Sequence, residues 1–195
     1  MNEKFVGKTL LVMSCIVFVL GCSKVKNGSL ELIEANEDKG FHYPYFLFIP
    51  DETSKESEIP LVVESNNSGF LDDNLKAHIE KAERTAIIDY YIGNFVSREL
   101  NLPLLVPVFP RFESDSHLYT HSLDRDIVLK QDKELKRIDL QLLNMFDDAR
   151  KHLEELGFIT DDQFLMTGFS ASGTFANRFS LIHPEKVKAV AAGGL

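Results

Sequence analysis

Ser170 is the residue of this chain best placed to do chemistry. It stands between Gly168 and Ser172, with an apolar run at 163–167 before it and a helical pattern at 171–182 after it. A tight strand-to-helix turn of that kind lifts a hydroxyl above the end of a sheet. It also requires small residues two before and two after the serine, where strand and helix nearly touch. Gly168 and Ser172 meet the requirement, and Gly173 follows at once. The bare pattern of glycine, any residue, serine, any residue, small residue arises by chance in roughly one in five chains of this length. The flanking strand and helix therefore carry the weight. A hydroxyl so presented is suited to attack an acyl carbonyl once a base and an acid activate it.

Those partners are hard to find. After Ser170 the chain offers Glu185 as a carboxylate and His183 as a histidine. His183 lies at the far end of the helix that starts behind Ser170, about 20 Å away at 1.5 Å per residue, and reads as a helix-end residue before Pro184. His117 and His121 precede the serine on a long irregular segment at 109–131, where Tyr119 and His121 are expected to line a pocket. His42, His78 and His152 fall in strand or helix contexts and read as surface or interface residues. No histidine pair has a carboxylate at metal-ligand spacing, so no metal or cofactor is expected.

The elements that would position Ser170 follow from periodicity. Strands are expected at 29–35 and 43–49 across a turn-rich 36–40, then at 59–64, 102–108, 163–167 and 187–192. Helices are expected from about 72, with Leu75, Ile79, Ala82, Ala86 and Tyr90 on one face, then at 133–156 with Gly157 as its cap, and at 171–182. Strands alternating with helices imply an α/β fold with a mostly parallel sheet and flanking helices.

The stretch GFSASGTFANRFSLIHPEKVKAVAAGG, residues 168–194, resembles the nucleophile region of α/β-hydrolases, especially poly(3-hydroxybutyrate)-depolymerase-like and related esterases. The similarity includes Arg178-Phe179 in the helix, His183-Pro184-Glu185 after it, and a strand ending in Gly193-Gly194. It extends through the preceding helix with Asp139, Asp147, Asp148, Ala149 and Arg150, and back to about Ile59. The resemblance implies an α/β-hydrolase fold in which Ser170 is the nucleophile and the Ala171 amide is one oxyanion donor. It places the second donor on the loop Ser65-Asn66-Asn67-Ser68-Gly69, at the amide of Asn67 or Ser68. It also implies an acid and a histidine later in the chain, with two further strands, so the 195 residues are expected to be the N-terminal portion of a longer enzyme, inactive or nearly so. The implied substrate is a small-molecule or polymeric acyl compound. A peptidase of the same fold, or a ligand-binding lipoprotein without catalysis, remains an alternative.

The N-terminus points to export. Lys4 and Lys8 precede an uncharged apolar stretch at 9–20, too short to span a bilayer comfortably. Val19-Leu20-Gly21-Cys22 resembles the lipobox of bacterial lipoproteins, which implies cleavage before Cys22 and its acylation. Residues 1–21 are then a signal peptide, 22–28 a tether, and 29–195 the hydrolase domain, held on the outer side of a cell-envelope membrane. Cys15 would leave with the signal, so no disulfide within the mature chain is expected. The net charge of −9 argues against nucleic acid as a partner.

Overall fold

A computed structural model describes residues 23–66, 70–88, 90–131 and 134–195. The expected signal peptide and Cys22 lie outside the described residues.

The chain opens on a hairpin. Strand β1 (Ser23–Val25) pairs antiparallel with β2 (Gly28–Ile33), and Asn27 at φ 60° makes the two-residue turn. Residues 23–25, expected as tether, are thus an edge strand. Around 36–40 the Asn36 side chain accepts from the Lys39 amide, and Gly40 takes a left-handed conformation that favours glycine. That turn leads into β3 (Tyr45–Pro50), antiparallel to β2.

The apolar run at 59–64 breaks at Pro60. Its first part, β4 (Glu58–Ile59), pairs in parallel with β7 (Ile159–Thr160) as a separate two-stranded ribbon. Its second part, β5 (Val62–Glu64), enters the main sheet. Helix α1 (Leu75–Ile87) is capped by Asn74, whose side chain accepts from the Lys76 amide. Tyr90, expected on its apolar face, lies beyond its end and is exposed; a second helix, α2 (Ile92–Leu100), follows. Strand β6 (Leu104–Pro107) comes next. The irregular segment then carries single helical turns at Glu113–Asp115 and Thr120–Ser122, and a short α3 (Arg125–Leu129).

Helix α4 (Ile138–Glu155) starts later than periodicity suggests, because Arg137 takes φ 49° and no helix continues through it. Gly157, at φ 88°, closes its end by donating to Glu154 O. The chain finishes with β8 (Phe164–Phe169), α5 (Ala171–Ile182) and β9 (Val187–Gly193).

Among the described residues the main sheet has seven strands in the order β1-β2-β3-β6-β5-β8-β9. The four strands β6, β5, β8 and β9 run parallel, and β3 joins them antiparallel. Alternation along the strands sends residues to two cores. One face (Leu47, Val63, Leu105, Phe164, Met166) packs under α4 and α5 through Leu142, Met145, Phe146, Phe175 and Phe179. The other (Phe46, Phe48, Val62, Leu104, Val106) packs under α1 through Ala82 and Ala86. A helix layer on each side of a mostly parallel sheet is the architecture that the strand–helix alternation implies. No helix among the described residues is long and apolar enough to cross a membrane.

Candidate active site

Ser170 occupies the turn between β8 and α5 with φ 57° and ψ −121°. A side chain at positive φ is strained, and such strain persists only where neighbours over-determine the backbone. Here they do. The Ser170 amide donates to Gly193 O at 2.9 Å, fixing the turn to the end of β9. A Cβ at position 168 would run into the Ser172 carbonyl, and one at 173 into the Gly193 carbonyl oxygen. Gly168 and Gly173 are therefore what lets strand, helix and neighbouring strand meet. Ser172, where a strict motif has glycine, is fully buried and clamps the turn. Its hydroxyl accepts from the Phe169 amide at 2.9 Å and donates to the Phe169 carbonyl at 3.0 Å.

The Gly193-Gly194 pair has a second role. The Phe169 ring lies over both glycines, and Gly194 takes φ 64°. The Ser170 side is left open, and the serine is solvent-exposed. Ala171 opens α5, and the Thr174 amide donates back to Ser170 O at 2.9 Å. The first amides of a helix lack carbonyl partners within it and carry its positive dipole end, so Ser170 sits where a developing negative charge is favoured.

An open depression of about 310 Å³ adjoins the serine, lined by Tyr119, Ser122, Ser170, Ala171, Thr174 and Gly194. The structure brings Tyr119 to Ser170, with the Arg111 guanidinium stacked 3.8 Å from the Tyr119 ring centre. Arg178 of α5 donates to Ser122 O at 2.9 Å and ties the 120–122 turn to the helix behind Ser170. His121 is not among the residues lining the depression. It is fully buried, and its Nε2 donates to Phe109 O at 2.9 Å, the same carbonyl that the Asn66 amide reaches at 3.0 Å. His121 and Asn66 together hold the segment after β6 against the segment after β5. Asn67 and Ser68, the expected second oxyanion donors, lie outside the described residues.

No imidazole or carboxylate lines the depression among the described residues. His183 pairs with a carboxylate elsewhere: its Nε2 lies 2.9 Å from Asp139 Oδ2, and Arg137 grips Asp139 with both Nε (2.9 Å) and Nη2 (2.7 Å). Burial pushes the Asp139 carboxyl up, but the Arg137 and His183 bonds outweigh it and hold the group below the usual carboxylate range. This cluster joins the start of α4 to the end of α5, one helix length from Ser170. His183 ends α5, as expected, and is buried there; His78, expected at the surface or an interface, is buried too, with its ring facing His121, Phe70 and Phe112. Tertiary contacts, invisible in local periodicity, account for both.

Glu64 is a further ionisable group that the nucleophile motif does not mark. It ends β5, is buried, and accepts from the Gly93 amide in the first turn of α2. Burial raises its carboxyl to about 7, against a smaller lowering by the Gly93 bond. A charged residue closing the apolar run 59–64 was the available signal. No cluster of three or more histidine, cysteine, aspartate or glutamate residues suited to a metal ion occurs among the described residues.

Strand order, the antiparallel entry at β3, helices on both faces and the β8–α5 turn define the α/β-hydrolase fold. Solved structures agree. The chain is similar to poly(aspartic acid) hydrolase-1 from Sphingomonas sp. KT-1 (TM-score 0.52, 15% identity, 85% of this chain and 55% of that one). It is similar to a thermostable esterase (TM-score 0.51, 19% identity, 84% and 40%) and to an S-formylglutathione hydrolase from Agrobacterium tumefaciens (TM-score 0.50, 16% identity, 88% and 59%). The chain thus spans about half the length of the structures it matches. No protein-family model and no curated protein matches it.

Proposed function

We propose that the protein is a serine hydrolase that cleaves an ester or related acyl bond, with Ser170 as nucleophile. The observation that carries this reading is the strained, exposed conformation of Ser170 at the N-terminus of α5, above an open depression. Attack by Oγ on an acyl carbonyl produces a tetrahedral oxyanion. The Ala171 amide and the end of the helix dipole are suited to receive it, with a second donor from Asn67 or Ser68. The esterase and hydrolase neighbours support the chemistry through the shared fold. Acylation of Cys22 holds the protein on the outer side of an envelope membrane.

A serine hydroxyl without a base is a weak nucleophile. With no imidazole or carboxylate lining the depression among the described residues, this 195-residue chain is expected to turn over acyl substrates slowly or not at all. A fluorophosphonate probe tests both parts. Weak labelling that disappears in Ser170→Ala is the expected result. Labelling that persists in Ser170→Ala overturns the choice of nucleophile, whereas strong labelling lost in that variant keeps Ser170 and overturns the lack of activation.

A further inference from the structure

Helix α2 is amphipathic the wrong way round for a surface helix. A helix on a globular protein ordinarily turns its apolar stripe inward and its polar face to water. Helix α2 buries Gly93, Asn94 and Ser97 instead. Gly93 lies against the Glu64 carboxyl, where a Cβ would clash. Asn94 donates to Ala86 O, and Ser97 Oγ donates to Leu102 O at 2.6 Å. The outward side carries Phe95, 54% exposed, and Leu100, 56% exposed, with Ile92 half-buried beside them, while Val96 turns toward the core beneath α1. Tyr90, just before the helix, is 86% exposed. Glu99 is the one charged residue on that outward side.

The same helix is bonded to the hairpin that begins the described chain. Arg98 donates to Lys26 O at 2.8 Å from its Nη1, to Asn94 Oδ1 at 2.8 Å from Nε, and to Ile87 O at 3.1 Å from Nη2. Lys26 stands at the β1–β2 turn, and β1 begins at Ser23, directly after Cys22. At 3.3 Å per residue, Ser23 to Lys26 spans about 10 Å. The hairpin that directly follows Cys22 in sequence is thus bonded to the Arg98 end of α2.

We infer that the outward apolar side of α2 is a membrane-docking surface, on which Tyr90, Ile92, Phe95 and Leu100 rest in the headgroup region of the bilayer that holds the anchor. The inference rests on the reading of Cys22 as acylated. Aromatic and aliphatic side chains on one face of a helix partition into that interface, and a second contact steadies a lipid-anchored protein. Docking by α2 fixes how the sheet, and with it the Ser170 depression, stands relative to the membrane.

The chain contains no tryptophan, so one introduced residue reports on its own surroundings. Full-length Phe95→Trp and Leu100→Trp are prepared with the anchor and reconstituted on phosphatidylcholine vesicles. Leu156→Trp serves as control, since Leu156 ends α4 on the opposite side of the sheet. Flotation, with Cys22→Ser alongside, reads anchoring separately from docking. The expected result is flotation that Cys22→Ser weakens, with a blue shift and bromolipid quenching at positions 95 and 100 and neither at 156. Flotation with water-like emission at 95 and 100 overturns docking and leaves the anchor standing. Failure of the Cys22 protein to float, without a shift at 95, overturns both. Emission at 95 already blue-shifted in vesicle-free buffer shows that polypeptide covers the face, and this too overturns the proposal.

Discussion

The Ser172 hydroxyl bonds both backbone groups of Phe169, accepting from its amide at 2.9 Å and donating to its carbonyl at 3.0 Å. One buried side chain thus closes the turn on which Ser170 is displayed. A residue that departs from the strict glycine pattern replaces backbone freedom with a hydrogen-bonded clamp.

Removing the clamp leaves the Phe169 backbone groups without it in a crowded site. Ser172→Ala is expected to lower unfolding stability by about 1–3 kcal/mol, the usual penalty for a buried polar group that loses its partner. Urea denaturation measures the loss. An unchanged midpoint would mean that the hydroxyl does not hold the turn.

The glycines around the turn tolerate less. Ala at 168 or 173 places a methyl against backbone, which cannot rotate away as a side chain end does. Either variant is expected to lose about 3 kcal/mol or more, at the upper end for overpacking. Thermal melts of Gly168→Ala and Gly173→Ala should show this, while Gly157→Ala, restrained only by its φ of 88°, should melt closer to the parent.

Much of this turn was legible in the sequence, and the reason is local. Strand 163–167, helix 171–182 and strand 187–192 are short, strongly apolar or periodic, and bounded by small residues, so they appear as β8, α5 and β9 with ends shifted by at most two residues. Helix α2 was not legible because its inward face is Gly93, Asn94 and Ser97, and its apolar side faces out. The split of 59–64 into β4 and β5 depends on β7, some hundred positions later, which local pattern does not reveal. Of the site, Ser170 and Tyr119 could be anticipated from the motif and the loop. The fixing of His121 to Phe109 O could not, because it is set by how the loop folds back on β6.

The Asp139–His183 pair is a structural joint between α4 and α5. Asp139→Ala removes the carboxylate that both Arg137 and His183 face, and is expected to cost about 3 kcal/mol, as breaking a buried ion pair does. Because the Asp139 carboxyl is held below its ordinary value, its contribution is present above the unfolded pKa and is lost as pH falls through the folded one. Denaturant titrations at descending pH follow that loss, which Asp139→Ala should lack. His183→Asn should leave fluorophosphonate labelling of Ser170 unchanged if the pair is no part of its activation.

Glu64 predicts the opposite pH trend. Burial raises its carboxyl from 4.5 to about 7. Between those values the folded chain binds more proton than the unfolded chain at this site, so stability falls as pH rises through the window. A displacement of that size corresponds to about 3 kcal/mol, nearly all lost by pH 8. Glu64→Gln keeps the shape and the acceptor for the Gly93 amide but carries no charge. The variant is expected to match the parent near pH 4.5 and to be the more stable of the two at pH 8. Parallel denaturant titrations across pH 4.5–8 decide it. Curves that stay parallel would mean that Glu64 ionises at its ordinary value, with water reaching it at the start of α2.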